Sequence, residues 1–277
     1  MLRNTFCHMP GIGAKTETRL WDAGLLSWEA ATEEALSSLP AGRRRLLHEH
    51  TRESGSRLEA DDPAYFDSLL PANQAWRMFP EFRHTMAYLD IETTGLSGDR
   101  DHVTTIALYD GESIFHYVHG RNLADFRSRI AQYKLIITYN GKTFDVPFLR
   151  AALGVPMPHA HIDLRYVLAG LGITGGLKEC EKKLGIDRKE LADIDGYFAV
   201  LLWHDYKRNG NEHALETLLA YNVADVVNLE TLMTLAYNMK IRDTPFAASH
   251  SLDLPERPEI PFIADQPTIR RIKHSLM

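Results

Sequence analysis

The chain has 277 residues, of which 44% are hydrophobic and 25% are charged, and its formal net charge at pH 7 is −6. This composition is typical of a folded globular protein, and the length suits one large domain or one domain with a smaller companion. The acidic balance argues against a protein that coats duplex nucleic acid by bulk electrostatic attraction, because such proteins are usually basic.

The sequence also indicates a cytoplasmic protein with no membrane partner. No apolar run approaches the roughly 20 residues that a membrane-spanning helix needs, and the N-terminal stretch lacks an apolar segment of signal-peptide length. The two cysteines, Cys7 and Cys180, are too few for a disulfide framework or a cysteine-built zinc site. We therefore expect unpaired thiols and a cytoplasmic location.

Apolar spacing predicts a small helical region over residues 1–56. It contains three helix-like stretches, "TETRLWDAGL", "SWEAATEEALSSL" and the basic "GRRRLLHEHTRES", and Ser27 is placed to cap the second. Residues 57–82 contain three prolines and have no clear period. This pattern predicts a linker or a strap packed on the surface.

Residues 83–240 have the pattern of an α/β domain. "MAYLDI", "HVTTIALYD" and "SIFHYVHG" predict three strands, and an Asp-Gly pair between the last two is typical of a hairpin. Strands in "KLIITYN" and "HIDLR" alternate with helices in "LADFRSRIAQY" and "DVPFLRAALG", and the pattern is helical from Gly176 to about Met239. This order predicts a mixed sheet with helices on its faces. Residues 241–277 are proline-rich and predict an extended tail with a short basic helix at its end.

The stretch "YLDIETTGL", residues 88–96, places two carboxylates at the end of an apolar strand. Side chains alternate between the two faces of a strand, so Asp90 and Glu92 project from the same side. Two acids on one face repel each other unless a cation lies between them, and Mg²⁺ and Mn²⁺ favour oxygen ligands of this kind. The pair indicates either a metal site or an exposed strand end with two solvated acids.

Two later segments supply further acids. Asp145 follows a strand and a Gly-containing turn at a predicted helix start, where it is either a metal ligand or a helix N-cap. Tyr221 and Asp225 are four residues apart on a helix that is apolar nearly all round, so they share one face of a buried helix. A buried Asp needs a cation, a donor network or an arginine as its partner.

Taken together, these residues resemble the three motifs of the DEDD exonuclease superfamily. "LDIETTGL" resembles its first motif, "NGKTFDVPFL" its second and "YNVADVVNL" its third, and their order and approximate separations match over about residues 84–240. The resemblance implies an α/β protein with a ribonuclease H-like mixed sheet flanked by helices. The small helical region over residues 1–56 would precede this domain.

The third motif distinguishes two branches of that superfamily. One branch has a His five residues before the last Asp, where this chain has Ala220, and the other has a Tyr four residues before it, where this chain has Tyr221. The sequence thus resembles the tyrosine branch (DEDDy). "GGLKECEKKLGI" and "DIDGYFAVLLWHDY" also resemble a bacterial subgroup of predicted ribonuclease H-like exonucleases.

The resemblance implies phosphodiester hydrolysis with two divalent cations, Mg²⁺ or Mn²⁺. Two ions about 3.5–4 Å apart can generate the nucleophile and stabilise the leaving oxygen. Asp90 would bridge the ions, Glu92 and Asp225 would complete the nucleophile-side site, and Asp145 would support the other ion. Tyr221 would orient or deprotonate the attacking water, and because the ordinary pKa of tyrosine is about 10, positioning is the favoured role.

The resemblance also implies residues that hold the substrate. Thr93 and Leu96 follow the first motif, and Asn140 and Phe144 precede the second-motif Asp; all four would contact the terminal nucleotide. Plain core packing is the alternative for Leu96 and Phe144. Asp163, in "HIDL", is expected to have a structural role.

Near the N-terminus, "MPGIGAKTETRLWDAGL" resembles the hairpin and second helix of a helix-hairpin-helix module. In that module the turn presents backbone amides to a phosphate, and Gly11 and Gly13 would be its glycines here. Only about nine residues precede the turn, too few for a secure first helix. A packing role is therefore the alternative.

The expected function is a metal-dependent 3′-5′ exonuclease that acts on single-stranded DNA or RNA 3′ ends. One alternative is a nucleic-acid-binding module with little catalysis, against which the intact acids argue. Another is a structure-selective endonuclease, because ribonuclease H-like folds also host internal cutters; Tyr221 argues for the exonuclease. The choice between DNA and RNA depends on contacts to the sugar 2′ position, which no motif reports.

Overall fold

The strand-like segments pair into one mixed sheet with the strand order β3-β2-β1-β4-β5. The computed structural model describes residues 1–37, 39–97, 100–192 and 194–275. Strand β1 pairs antiparallel with β2 and parallel with β4, and β3 and β5 form the edges. The strands are β1 Met86–Thr93, β2 Val103–Tyr109, β3 Ile114–Val118, β4 Leu135–Thr138 and β5 Ala160–Asp163.

Helices surround this sheet, and the longest described one, α9, has 30 residues. The helices are α1 Ala14–Asp22, α2 Ala41–Glu59, α3 Pro63–Leu69, α4 Phe126–Ile130, α5 Asp145–Leu153, α6 Leu164–Ala169, α7 Leu177–Lys183, α8 Gly196–Asn209, α9 Glu212–Ile241, α10 Ala247–His250 and α11 Gln266–His274. Short 3₁₀ helices span Leu2–Asn4, Ala72–Met78, Arg83–Thr85, Leu123–Asp125 and Lys189–Leu191. Among the described residues, no helix is both long and apolar enough to cross a bilayer.

The two faces of the sheet pack against different helices. On β1, Tyr88 lies in a buried cluster with Val223 and Val227 of α9. Leu89, its neighbour on the opposite face, lies in a second cluster with Val146 of α5. The alternation of side chains along a strand produces this division. The predicted mixed sheet flanked by helices is therefore confirmed.

The N-terminal region contains one helix fewer than predicted. The stretch "SWEAATEEALSSL" has turns instead of a helix over the positions that the structure describes. Trp28 explains the difference, because its backbone N–H donates to Arg3 and its indole N–H donates to the Thr5 carbonyl over 2.7 Å. These long-range bonds outweigh a weak local helix propensity. Ser27 accepts from Ala30 N over 3.3 Å but caps no helix.

Residues 57–82 are more than a surface strap. They contain α3 and the 3₁₀ helix Ala72–Met78, and they contribute large side chains to the same buried cluster as α9. Those fully or almost fully buried side chains are Phe66, Trp76, Met78, Phe79 and Phe82. The segment showed no clear period because its short helices bury side chains at irregular intervals.

The C-terminal tail combines extended chain with two helices. It is extended between α10 and α11, as its prolines predict, and α11 is the expected basic helix. Ile269 and Ile272 of α11 are buried in a cluster with residues of α8 and α9. Cys7 and Cys180 are free and buried, which confirms the predicted unpaired thiols.

Candidate active site

The first pair of acids lies at the end of β1, on the face that α9 covers. Asp90 is partly buried and Glu92 is 8% exposed, so neither is a solvated acid at an exposed strand end. The pairing with β2 shifts register between Glu92 and Thr93. Such a bulge re-aims the chain next to a site.

Helix α9 brings Asp225 to this pair. One carboxylate oxygen from each of Asp90, Glu92 and Asp225 lies within 4.8 Å of the others. Asn222, also on α9, donates from Nδ2 to Asp90 Oδ2 over 2.7 Å and to the Asp90 carbonyl over 3.3 Å. Asn222 therefore orients Asp90, a role that was not predicted although this residue follows Tyr221 directly.

Asp145 is the first residue of α5, and Phe144 is its N-cap residue. The N-cap interpretation of Asp145 is therefore wrong. Asp145 is 4% exposed, and its Oδ1 accepts a hydrogen bond from Ile91 N over 3.2 Å. This bond holds the start of α5 against β1 between Asp90 and Glu92.

The carboxylates raise each other's proton affinity. Burial, then the charges of Asp225 and Asp145, raises the pKa of Asp90 and of Glu92 well above their usual values. Burial also raises the pKa of Asp145 to about 7. Acids held together in this way favour either protons or cations between them.

Arg188 lies against Asp225 and was not anticipated from the sequence. Its Nη1 forms a short ion pair with Asp225 Oδ1, and its Nε does the same with Glu181 Oε2. Its Nη2 donates to Glu181 Oε1 over 2.9 Å. All three side chains are buried. No local sequence signal marks this pairing, because Arg188 and Asp225 are far apart along the chain.

Tyr221 is 6% exposed and lies one helical turn before Asp225. Lys178 Nζ lies 5.0 Å and the Arg188 guanidinium carbon 5.8 Å from the centre of its ring. Burial and the nearby charges of Asp225 and Glu92 raise the pKa of Tyr221 above its usual value. Its hydroxyl therefore stays protonated, which favours positioning over proton abstraction.

The four predicted substrate residues have different environments. Leu96 is 86% exposed, so core packing is excluded for it. Phe144 is partly buried and its ring centre lies 5.6 Å from that of Phe148, so it does contribute to packing. Thr93 is buried, and its hydroxyl donates to the Gly95 carbonyl over 2.6 Å.

Asn140 has a left-handed backbone conformation with φ 67°. Asp163 stabilises this turn by accepting hydrogen bonds from the backbone N–H groups of Asn140 (2.8 Å), Lys142 (3.0 Å) and Arg165 (3.0 Å). The predicted structural role of Asp163 matches this geometry. Arg165 Nη1 also donates to Asn140 Oδ1 over 2.5 Å.

A cleft of about 770 Å³ lies beside this turn. It is lined by Tyr139, Asn140, Arg165, Tyr166, Ala169, Thr174, Gly175, Gly176 and Leu177. Asn140 is therefore the one predicted substrate residue among the lining residues of this cleft.

The two N-terminal glycines lie away from these acids in sequence and form a turn before α1. Gly11 has φ 76°, and Gly13 is the N-cap residue of α1. Both are exposed. Leu2–Asn4, a 3₁₀ turn, stands where a helix-hairpin-helix module has its first helix. Phosphate contact at this turn stays a prediction.

The acidic cluster suits a hard divalent cation. Its donors are carboxylate oxygens, which Mg²⁺ and Mn²⁺ prefer, and they lie within 4.8 Å of one another on three side chains. Burial and the neighbouring acids raise the pKa values of Asp90 and Glu92, and a cation between these carboxylates would offset their mutual repulsion. The donor set therefore fits at least one ion, and a second ion stays a prediction.

Three solved structures are among those to which part of this chain is similar. The family B DNA polymerase from the archaeon Pyrobaculum calidifontis has a TM-score of 0.44 and 21% identity, over 57% of this chain and 24% of that one. The chain thus matches about a quarter of the polymerase. Brucella melitensis NrnC has a TM-score of 0.39 and 21% identity, over 60% of this chain and 78% of that one. The Aedes aegypti Nibbler EXO domain has a TM-score of 0.39 and 13% identity, over 61% of this chain and 85% of that one.

Among curated proteins, none matches this chain. A family profile does match: residues 87–237 fit RNase_H_2, which is described as RNase_H superfamily. The matched segment covers more than half of the chain. It includes β2 to β5, all of β1 except its first residue, the acidic cluster and most of α9. The chain belongs to the RNase H superfamily.

Proposed function

We propose that the protein is a metal-dependent 3′-5′ exonuclease of the tyrosine branch, and that it shortens single-stranded DNA or RNA from the 3′ end in the cytoplasm. The observation that carries the proposal is the convergence of Asp90, Glu92 and Asp225 within 4.8 Å on an RNase H-like sheet. Tyr221 shares the helix of Asp225 and lies one turn away.

The acids would hold two divalent cations, Mg²⁺ or Mn²⁺, and these ions would supply a nucleophilic hydroxide and stabilise the leaving oxygen. Asp90, Glu92 and Asp225 would hold the first ion. Asp145 would support the second, from the position where it accepts the Ile91 N–H. Asn222 would keep Asp90 oriented through its hydrogen bond to Oδ2.

Tyr221 would position the attacking water. Its raised pKa keeps the hydroxyl protonated, so it would act through a hydrogen bond and not as a base. Its ring is held beside Lys178 and Arg188, which restricts where the hydroxyl can point.

The 3′-terminal nucleotide would lie between the end of β1 and the turn before α5. Leu96 is free to contact a base or sugar because it is 86% exposed. Asn140 presents its side chain from a left-handed turn, and Phe144 and Thr93 would complete the contact surface. Gly11 and Gly13 would contact a phosphate further along the strand from the exposed turn before α1.

The two alternatives make different use of the acids. A binding module with little catalysis gains nothing from three carboxylates gathered within 4.8 Å, which repel phosphate when ionised, so this convergence argues against it. A structure-selective endonuclease would use the same metals but cut internal bonds. Tyr221 beside Asp225 favours the exonuclease.

The test incubates the full chain with single-stranded DNA and RNA labelled at the 3′ or the 5′ end, with Mn²⁺ or Mg²⁺. Release of labelled mononucleotide from the 3′ end, a descending ladder from the 5′ label and an intact circular substrate are expected. Asp90→Ala should abolish this activity. Glu212→Gln, on an exposed acid at the start of α9, is the matched control.

Three results would contradict the proposal. Activity of the Asp90→Ala variant equal to that of the parent protein would show that cleavage does not depend on the acidic cluster. Cleavage of the circle would show an endonuclease. Tight binding that is independent of divalent cations and leads to no cleavage would support the binding module.

A further inference from the structure

We propose that Arg188 is a fixed cation that limits the affinity of the acidic cluster for divalent cations, and that Glu181 sets how strongly it does so. This inference rests on the proposed metal centre and adds a residue that controls it. Arg188 contacts Asp225, a ligand of that centre, while Glu181 contacts Arg188 from the other side.

The contacts make Arg188 a permanent part of the site. It is 7% exposed, and its guanidinium bridges Asp225 and Glu181. Glu181, which is 1% exposed, is itself fixed by Asn228, whose Nδ2 donates to Oε1 over 2.9 Å. Asn228 lies on α9, three residues after Asp225, so the same helix carries the metal-binding acid and the support of its counter-ion.

The charge of Arg188 acts directly on cation binding. A guanidinium stays protonated in proteins, so its charge at Asp225 is present at every working pH. A divalent ion at Asp90, Glu92 and Asp225 must therefore share one carboxylate with a positive charge and is repelled by it. Removal of that charge without loss of the acid should strengthen cation binding.

Glu181 works in the opposite direction. It shares the guanidinium with Asp225 and adds a compensating negative charge to it. With Glu181 neutralised, Asp225 would be the only carboxylate among the described side chains that is paired with Arg188. Cation binding should then weaken.

A buried ion pair with a purely structural role leads to a different expectation. Removal of either partner would then loosen the same packing and leave an uncompensated charge. Cation affinity would fall in both variants or stay unchanged in both. The signs of the changes in cation affinity in the Arg188 and Glu181 variants therefore distinguish a structural ion pair from one that controls cation binding.

The experiment titrates Mn²⁺ into the full chain and follows free Mn²⁺ by electron paramagnetic resonance. We expect Arg188→Gln to raise affinity about tenfold and Glu181→Gln to lower it several-fold, by removal of charges of opposite sign at contact distance. Arg188→Lys retains the charge and should stay within about threefold of the parent protein. Circular dichroism checks that each variant is folded.

Equal affinity of Arg188→Gln and the parent protein, or changes of the same sign in Arg188→Gln and Glu181→Gln, would overturn the inference. If Arg188→Gln does not fold, the Glu181→Gln variant alone tests the inference. Mn²⁺ affinity that is unchanged or higher in Glu181→Gln would contradict the proposed role of Glu181. A parent protein that binds no Mn²⁺, or one whose binding survives Asp90→Asn, would overturn the proposed metal centre instead. The two failures are thus distinguishable.

Discussion

Tyr221 lies among charges of both signs, with the acids of the cluster on one side and Lys178 and Arg188 close to its ring. Its hydroxyl is the only group that Tyr221→Phe removes, so the packing of α9 should be retained. We expect kcat to fall about 10- to 100-fold, because a positioned hydrogen bond at the reacting water contributes at this scale. KM and Mn²⁺ affinity should change less than threefold.

Steady-state rates on a labelled oligonucleotide and a Mn²⁺ titration measure the two effects. Tyr237→Phe removes a hydroxyl from another buried tyrosine of α9 and is the matched control, which should leave kcat unchanged. A Tyr221→Phe variant with the parent rate would remove Tyr221 from the proposed mechanism.

Leu96 offers a second test at single-residue scale. It is 86% exposed, so Leu96→Ala should change the free energy of unfolding by no more than about 0.5 kcal/mol. The proposed contact with the terminal nucleotide predicts a several-fold rise in KM for single-stranded substrates. Leu254→Ala, at a 54% exposed position in the tail, is the control and should leave KM unchanged. Equal KM values for both variants would exclude Leu96 from the substrate site.

At the scale of elements, α1 is attached to the rest of the chain by a buried acid. Glu17 is fully buried and pairs with Arg77 over 2.8 Å. It also accepts hydrogen bonds from Thr5 Oγ1 (2.6 Å), Phe6 N (2.6 Å) and Cys7 N (3.1 Å). One side chain thus connects α1, the N-terminal segment and the 3₁₀ helix Ala72–Met78.

Glu17→Gln should therefore lower the free energy of unfolding by about 3 kcal/mol, because it leaves Arg77 buried without its counter-charge. Urea denaturation followed by fluorescence measures this loss. Glu29→Gln removes an exposed ion pair with Arg3 and should cost less than about 1 kcal/mol. Similar losses in the two variants would show that the buried pair does not hold α1 in place.

Local patterns predicted elements well where burial follows a regular period. The five strands, α1, α2, α4, α5 and α7 to α9 were anticipated, whereas α3 and α6 were not. Asp110-Gly111 joins β2 and β3 as its turn chemistry indicated, with Gly111 at φ 95°. The predicted helix around Trp28 was wrong, since its stability would have depended on local propensity alone. Distant hydrogen bonds to Arg3 and Thr5 determine that segment instead.

For the whole molecule, two buried histidines make stability depend on pH. Burial lowers the pKa of His8 and of His161 from 6.5 to about 3. His8 Nε2 hydrogen-bonds with Ser54 Oγ, and His161 Nε2 with Thr138 Oγ1, both over 2.8 Å. The unfolded chain binds protons at these sites below pH 6.5, whereas the folded chain does not. Stability is therefore complete above pH 6.5 and falls as the pH drops towards 3.

We expect each histidine to cost about 1.6 kcal/mol of stability between pH 6.5 and 5, because its imidazole in the unfolded chain goes from half to almost fully protonated over that interval. Urea denaturation at both pH values measures the loss. His8→Gln and His161→Gln should each reduce the pH dependence by about that amount, whereas His213→Gln, at an exposed position, should not. If His8→Gln and His161→Gln leave the pH dependence of stability unchanged, these two histidines are not its source.

Sequence periodicity by itself predicted a mixed α/β sheet and two pairs of residues on shared faces, whereas the resemblance to the DEDD superfamily implied that these pairs meet. The two-residue period of a strand puts Asp90 and Glu92 on one face, and four-residue spacing puts Tyr221 and Asp225 on one face of a helix, whatever the rest of the chain does. Only the tertiary structure decided that Asp145 accepts the Ile91 N–H, that Arg188 is bound between Glu181 and Asp225, and that residues 57–82 enter the core. Those contacts join segments that are distant along the chain, and periodicity carries information only about neighbours within a few residues of each other.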